Sequence, residues 1–212
     1  MASLVHTASA ETTSSQLDLF AIPPTQTSLE GGSYTEYQPV SILSSAGPIE
    51  FVVSGESSSY IDLANSLLYV RASIVKADGT DLDGDSEIAP ECNFIHSLWS
   101  QIDLYLNGTL ITPSNNNYGY RCCLENLLSF GASAKKTQLT SLLWYRNQSG
   151  HFDSPNANNP GYVKRKAFAA GSNQFDMIGR IHTDLAFQNR YLLNGVELRF
   201  RLIRASDSFC LQ

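Results

Sequence analysis

From residue 49 onward, apolar and polar positions alternate along much of the chain, and this alternation predicts strands. "IEFVVSG" is a short β-branched run that ends at Gly55. In "YIDLANSLLYVRASIVKADGTDLDG", Ile61 and Leu63 alternate with Asp62 and Ala64. Leu68, Val70, Ala72 and Ile74 then take one face, and Tyr69, Arg71, Ser73 and Val75 the other. Asp78-Gly79 is a hairpin signal. "NFIHSLWSQIDLYLNGTLI" predicts one or two further strands, with Ile102, Leu104 and Leu106 opposed to Asp103, Tyr105 and Asn107. Asn107-Gly108 supplies the two positive-φ residues of a tight turn. "YVKRKAFAAG" reads as a strand and "FDMIGRIHTDLAFQ" as a strand pair. "RYLLNGVELRFRLIRA" reads as a hairpin turning at Asn194-Gly195, with Val196, Leu198, Phe200 and Leu202 alternating with Glu197, Arg199 and Arg201.

A helical period interrupts this pattern once. Tyr120, Cys123, Leu124, Leu127 and Leu128 recur at helical spacing, with Gly131 at the expected C-terminal cap. Ser133 would cap a second helix running to Leu143, with Leu139, Leu142 and Leu143 inward. Two short helices among strands predict an insertion near residues 118–145, covering an open sandwich end or forming a contact tower. Residues 146–161 form a polar loop. Asp81, Asp83, Asp85 and Glu87 read as a solvated loop, because the glycine that a calcium loop requires does not follow the alternating acids.

The N-terminal segments follow other rules. Residues 1–16 are rich in Ser, Thr and Ala and are expected to be a disordered tail. Residues 17–48 read as an extended arm: Leu17, Leu19, Phe20 and Ile22 form an apolar patch for docking, and Pro23-Pro24 opposes helix. The remainder, 49–212, is expected to be one β domain of about eight strands, a two-sheet sandwich or barrel.

Composition agrees with an all-β domain. Of 212 residues, 42% are apolar and only 16% charged, a low charge fraction for a helical bundle. The net charge of −6 gives no basic footprint for nucleic acid. No apolar run is long enough for a membrane span, and the N-terminus lacks the basic and apolar regions of a signal peptide. Cys92, Cys122, Cys123 and Cys210 follow no zinc or redox spacing and read as unpaired or core thiols. Without a secretory route, the glycosylation sequons at Asn107 and Asn147 are read as coincidental.

Candidate chemistry is sparse. His6, His96, His151 and His182 are the four histidines, and His96 is expected to pack near Phe94. His182 and Asp184 lie two apart and could form a facial metal pair on a strand, but the His-x-His cluster of a metal-binding jelly roll is absent. No Gly-x-Ser-x-Gly elbow, phosphate loop or His-Glu-x-x-His occurs. Lys164, Arg165 and Lys166 could touch a phosphate, although edge-protecting charge is the favoured reading. Trp99, Trp144, Tyr118, Tyr120 and Tyr145 could stack on sugars, although most lie in apolar periodic segments that read as core. No catalytic residue, cofactor or metal site is expected.

Several long segments, in order, resemble the N-terminal part of a double jelly-roll viral major capsid protein. They include "LDLFAIPPTQTSLEGGSYTEYQP", "PIEFVVSG", "FIHSLWSQIDLYLNGTLITPSNNNYGYRCCLENLLSFG" and "FDMIGRIHTDLAFQNRYLLNGVELRFRLIR". The nearest variety is that of Polinton (Maverick) and adintovirus-like elements integrated in animal genomes. The resemblance covers residues 17–212. It implies an eight-stranded antiparallel jelly roll and a structural, non-enzymatic role. It also implies homotrimeric, pseudo-hexagonal capsomers that contact other capsid proteins in a virion, with neither specific nucleic-acid binding nor membrane insertion. The arm would lie under the shell, and Arg199, Arg201 and Arg204 would meet a neighbouring roll or subunit. The second roll is absent from this chain, which leaves a single jelly-roll glycan-binding protein or a minor or vertex capsid protein as the alternative.

Overall fold

The computed structural model describes residues 31–43, 47–56, 58–112, 115–188 and 190–212. The expected tail and the apolar patch at Leu17, Leu19, Phe20 and Ile22 lie outside the described residues. The chain divides into Met1–Glu36 and Tyr37–Gln212, and the architecture below belongs to the second unit.

Its elements, in chain order, are β1 (Ile49–Val53), β2 (Leu67–Ala72), α1 (Phe94–Ser97), β3 (Trp99–Leu106) and β4 (Thr109–Leu110). Then come α2 (Tyr118–Ser129), α3 (Ala132–Lys136), α4 (Pro160–Ala169), β5 (Phe175–Arg180), β6 (Leu198–Arg204) and α5 (Asp207–Cys210). All strand pairing is antiparallel: one sheet has the order β1-β6-β3-β4, and the other pairs β2 with β5.

The alternation along β6 explains the larger sheet. Leu198, Phe200 and Leu202 are buried, and they stand opposite Val53, Phe51 and Ile49 on β1 and Leu106, Leu104 and Ile102 on β3. Nine aligned side chains thus give the sheet its core face. In the smaller sheet, Phe175, Met177 and Gly179 face the core while Asp176, Ile178 and Arg180 are exposed. The fully buried helix α1 packs against β3, β5, α2 and α5, and so sits at the centre of the fold. The Asn107-Gly108 turn forms as expected, with both residues at positive φ and Leu106 paired with Thr109.

Several expectations need correction. Six strands occur among the described residues, not eight, and helices accompany them, so the class is mixed rather than all-β. Residues 160–169 form a helix, not a strand. The Asn159 side chain accepts the Tyr162 N–H and Pro160 opens the first turn, a pairing that starts helices. The segment 175–187 contains one strand followed by a loop and a short 3₁₀ turn at Leu185–Phe187, not a strand pair. The expected final hairpin is also absent. Gly195 turns at φ 74°, but Leu192 bridges to Ile61 and β6 lies between β1 and β3. Gly55 permits that path, since a Cβ there would stand 2.5 Å from the Val196 nitrogen.

The helix at 118–129 exists, but it buries a different face. Tyr118, Cys122 and Asn126 point inward, where Asn126 donates to Asn93 Oδ1 at 3.3 Å. Tyr120, Leu124 and Leu128 of the apolar stripe are exposed, Leu128 to 82%, while Leu127 of the same stripe packs partly buried against the core. Cys123 is exposed and Cys122 buried, and all four cysteines are unpaired. Leu139, Leu142 and Leu143 are buried as expected, but the first two lie on a 3₁₀ turn at Gln138–Leu142 that Leu143 ends, because α3 stops at Lys136. Among the described residues, no helix is long and apolar enough to cross a membrane.

Candidate functional site

The densest group of chemistry-bearing side chains surrounds α1. Asn93 adopts a left-handed conformation at φ 66°, and its carbonyl accepts the N–H groups of His96 and Ser97. This tight start drives His96 into the core, where it is wholly buried. Its Nδ1 lies 3.2 Å from the Tyr118 hydroxyl at the start of α2. Its Nε2 has no hydrogen-bond partner.

Helical spacing adds the next members. Cys122 lies one turn beyond Tyr118 on the buried face of α2, and Glu125 follows three residues later. Glu125 Oε2 stands 2.6 Å from His182 Nδ1, and its Oε1 accepts from Arg121 Nε at 2.7 Å. Arg121 also donates to Asp184 Oδ1 at 2.5 Å. The His182 backbone N–H donates to the Tyr118 hydroxyl at 3.3 Å. The two imidazoles meet edge to face, with ring centres 4.7 Å apart.

Burial sets the protonation of the group. It holds the His96 imidazole well below the usual histidine range, with the His182 charge adding to the effect. It also lowers His182, against the opposing pull of the Glu125 carboxylate. The same desolvation pushes the Cys122 thiol and the Tyr118 phenol up. At neutral pH the cluster therefore holds neutral imidazoles, a thiol and a phenol, with no activated nucleophile. A cleft of about 50 Å³, lined by Gln101, Thr112, Tyr118, Arg121, His182 and Thr183, reaches its edge. His96, Cys122 and His182 each bring one donor atom to within 4.8 Å of the others.

The residues singled out from sequence are placed differently. His182 and Asp184 do not converge, because His182 turns inward to Glu125 while the exposed Asp184 meets Arg121. Arg199, Arg201 and Arg204 lie on β6 and meet carboxylates of this chain. Arg199 lies 3.8 Å from Glu197, Arg201 3.8 Å from Glu50 and Arg204 3.5 Å from Asp207. Trp99 and Trp144 are core and Tyr118 is buried, while Tyr120 is exposed, so these aromatics form no common platform. The basic triplet separates: Arg165 is wholly buried, and Lys164 lies over the Tyr145 ring at 5.5 Å. Sequence reading missed Tyr118, Cys122 and Glu125 as one group. Their i, i+4, i+7 spacing is the signal that joins them.

A second feature is the exposed apolar row Tyr120, Leu124 and Leu128 on α2. Across the antiparallel pair of the smaller sheet, Tyr69 and Ile178 stand opposite each other, both exposed.

No family model matches the chain. An uncharacterized protein of Caenorhabditis elegans is 25% identical over 201 residues, a match covering 90% of this chain and 45% of that protein. The chain thus spans less than half the length of that relative.

Proposed function

We propose that this chain is the N-terminal jelly-roll portion of a viral-type major capsid protein, a structural and non-enzymatic subunit that associates as a homotrimer. The observation that carries this reading is the outer face of helix α2, which presents Tyr120, Leu124 and Leu128 while Tyr118, Cys122 and Asn126 are buried. Contiguous apolar surface left open on a folded domain marks an interaction site. Three further features support the reading. The capsid-like segments run in order through most of the chain. The β6 strand presents one continuous core face. The relative's length leaves room for a second domain of similar size.

The finer fold belongs to the same proposal. Beyond the six strands, isolated bridges join Ile61 with Leu192, Val75 with Asp81 and Pro90 with Leu211. We read them as traces of the remaining strands of an eight-stranded roll. Assembly would then draw on apolar burial between rolls and subunits over interfaces above roughly 1,000 Å². The glycan-binding alternative gains no support, because the two tryptophans it needs are core residues.

The test is a paired substitution, Leu124→Glu with Leu128→Glu. Each leucine contributes about 1.5 kcal/mol or more when buried in an interface, so the pair should weaken self-association at least roughly 100-fold. Sedimentation equilibrium reads the change. Unaltered association in the doubly substituted chain would remove α2 from the interface.

A further inference from the structure

We propose that His96, Cys122 and His182 form a buried site for a divalent metal of the zinc class. This inference is independent of the assembly reading. Three observations carry it. First, the donor atoms converge within 4.8 Å of one another, although the residues come from α1, α2 and the segment after β5. A tetrahedral zinc ion with bonds of roughly 2.0–2.3 Å needs donors about 3.5 Å apart, so a closure of about 1 Å completes the triangle.

Second, His96 Nε2 is buried without a partner. A buried polar atom left unpaired is costly and rare in folded proteins. The opposite ring nitrogen already faces Tyr118. With a proton on Nδ1, the hydrogen bond runs to the phenol oxygen and the Nε2 lone pair is left open. A metal ion is the partner such a lone pair accepts.

Third, the outer shell is in place. His182 Nδ1 contacts Glu125 at 2.6 Å, the carboxylate–histidine arrangement that fixes a ligand's tautomer and strengthens its other nitrogen. Arg121 in turn holds Glu125 and is itself met by Asp184. The charges close as well: a thiolate at Cys122 and the carboxylate of Glu125 balance a dication, while Arg121 balances Asp184.

The chemistry of the donors selects the metal. Two imidazoles and a thiolate favour zinc and its neighbours and disfavour calcium and magnesium, which take oxygen ligands. The cleft beside Tyr118 and His182 offers a route in, and a water would be the fourth ligand. On binding, the Cys122 S–H bond breaks, its proton passes to solvent and a sulfur–metal bond forms, with no change of oxidation state. The histidine rings must leave their edge-to-face contact, and His96 has the looser hold, with its Nδ1 contact at 3.2 Å. The bound ion would tie together three segments that meet at the centre of the fold.

The experiment uses the full chain, stripped with a chelator and titrated with cobalt(II). The expected result is one equivalent bound, with the intense visible bands of tetrahedral cobalt and a thiolate-to-cobalt charge-transfer band. Zinc should displace the cobalt and raise the melting temperature. Cys122→Ser should abolish the charge-transfer band, whereas Cys123→Ser on the exposed side of α2 should keep it. Should Cys122→Ser fail to fold, Glu125→Gln decides, because this partly exposed side chain supports His182 without coordinating. It should weaken affinity about 10- to 100-fold while leaving the far-ultraviolet circular dichroism unchanged. Absence of cobalt bands together with no zinc-dependent shift in melting would overturn the site. So would charge-transfer bands that survive Cys122→Ser, or affinity unchanged in Glu125→Gln.

Discussion

Arg165→Ala is expected to destabilise the chain by about 3–5 kcal/mol, the gain from a charged donor's hydrogen bonds to four neutral acceptors, each about 1.5–3 kcal/mol, less the desolvation that burying the guanidinium costs. Arg165 is wholly buried, and its guanidinium spreads its donors over four acceptors. Nε donates to the Pro90 carbonyl at 2.6 Å, and Nη2 to Asn147 Oδ1 at 2.7 Å and Gln212 Oε1 at 2.8 Å. Nη1 donates to the Tyr145 carbonyl. One side chain on α4 thus fastens three otherwise separate stretches: the segment before α1, the loop after the 3₁₀ turn, and the C-terminal residue. Alanine would leave the buried Pro90 carbonyl without this donor, at about 1–3 kcal/mol, and would remove one hydrogen bond from each of the part-buried oxygens of Tyr145, Asn147 and Gln212. For a chain of this size the melting temperature should fall by roughly 6–20 °C, at about 2–4 °C per kcal/mol. Arg165→Lys should recover little, because a single ammonium cannot span the positions that a planar fork reaches. A drop under about 1 kcal/mol in denaturant titration would mean that the network does not hold the fold.

Leu202→Ala should have a comparable effect by a different route. Leu202 is 1% exposed and stands between Ile49 on β1 and Ile102 on β3, in the middle of the core face. Truncation removes buried methyl groups and leaves a cavity that the strands on both sides cannot close. Such changes cost about 3–5 kcal/mol in well-packed sites. Ile178→Ala is the comparison, because Ile178 lies on the outward face of β5 and is 42% exposed. It should cost under about 1 kcal/mol. Equal losses at the two positions would mean that the assignment of faces is wrong.

The parts of the fold that were legible in sequence are those where burial follows a single period. The alternation in β6 reports a strand with one face in the core, and the structure places Leu198, Phe200 and Leu202 there, whereas β3 buries Gln101 and Asp103 on its other face as well. The Asn107-Gly108 turn was legible because its backbone requires positive φ. The helix α4 is illegible as a strand or helix from 162 onward alone, because its start signal, Asn159-Pro160, falls within the stretch that reads as a polar loop. The face of α2 was misread for a different reason. Its apolar stripe predicts burial, yet the partner that α1 presents is polar: Asn93 and His96 draw in Asn126 and Tyr118 instead. The cluster at His96 and His182 was illegible because its members are far apart in sequence, and only the packing of α1 against α2 and β5 brings them together. A strand through 182–184 would put His182 and Asp184 on one face, whereas the chain leaves the strand at Arg180.

The α2 surface connects these readings to function. Helix α2 turns Tyr118, Cys122 and Asn126 inward and leaves Tyr120, Leu124 and Leu128 to face a neighbour or water. The assembly reading assigns that face to a neighbouring subunit.

The most direct test of that reading is the mass of the purified chain in solution, followed by native mass spectrometry across a range of concentrations. The expected result is concentration-dependent association with a trimeric species, reduced by the Leu124→Glu and Leu128→Glu pair. A chain that stays a clean monomer at high concentration, with α2 folded and its apolar row exposed, would contradict it.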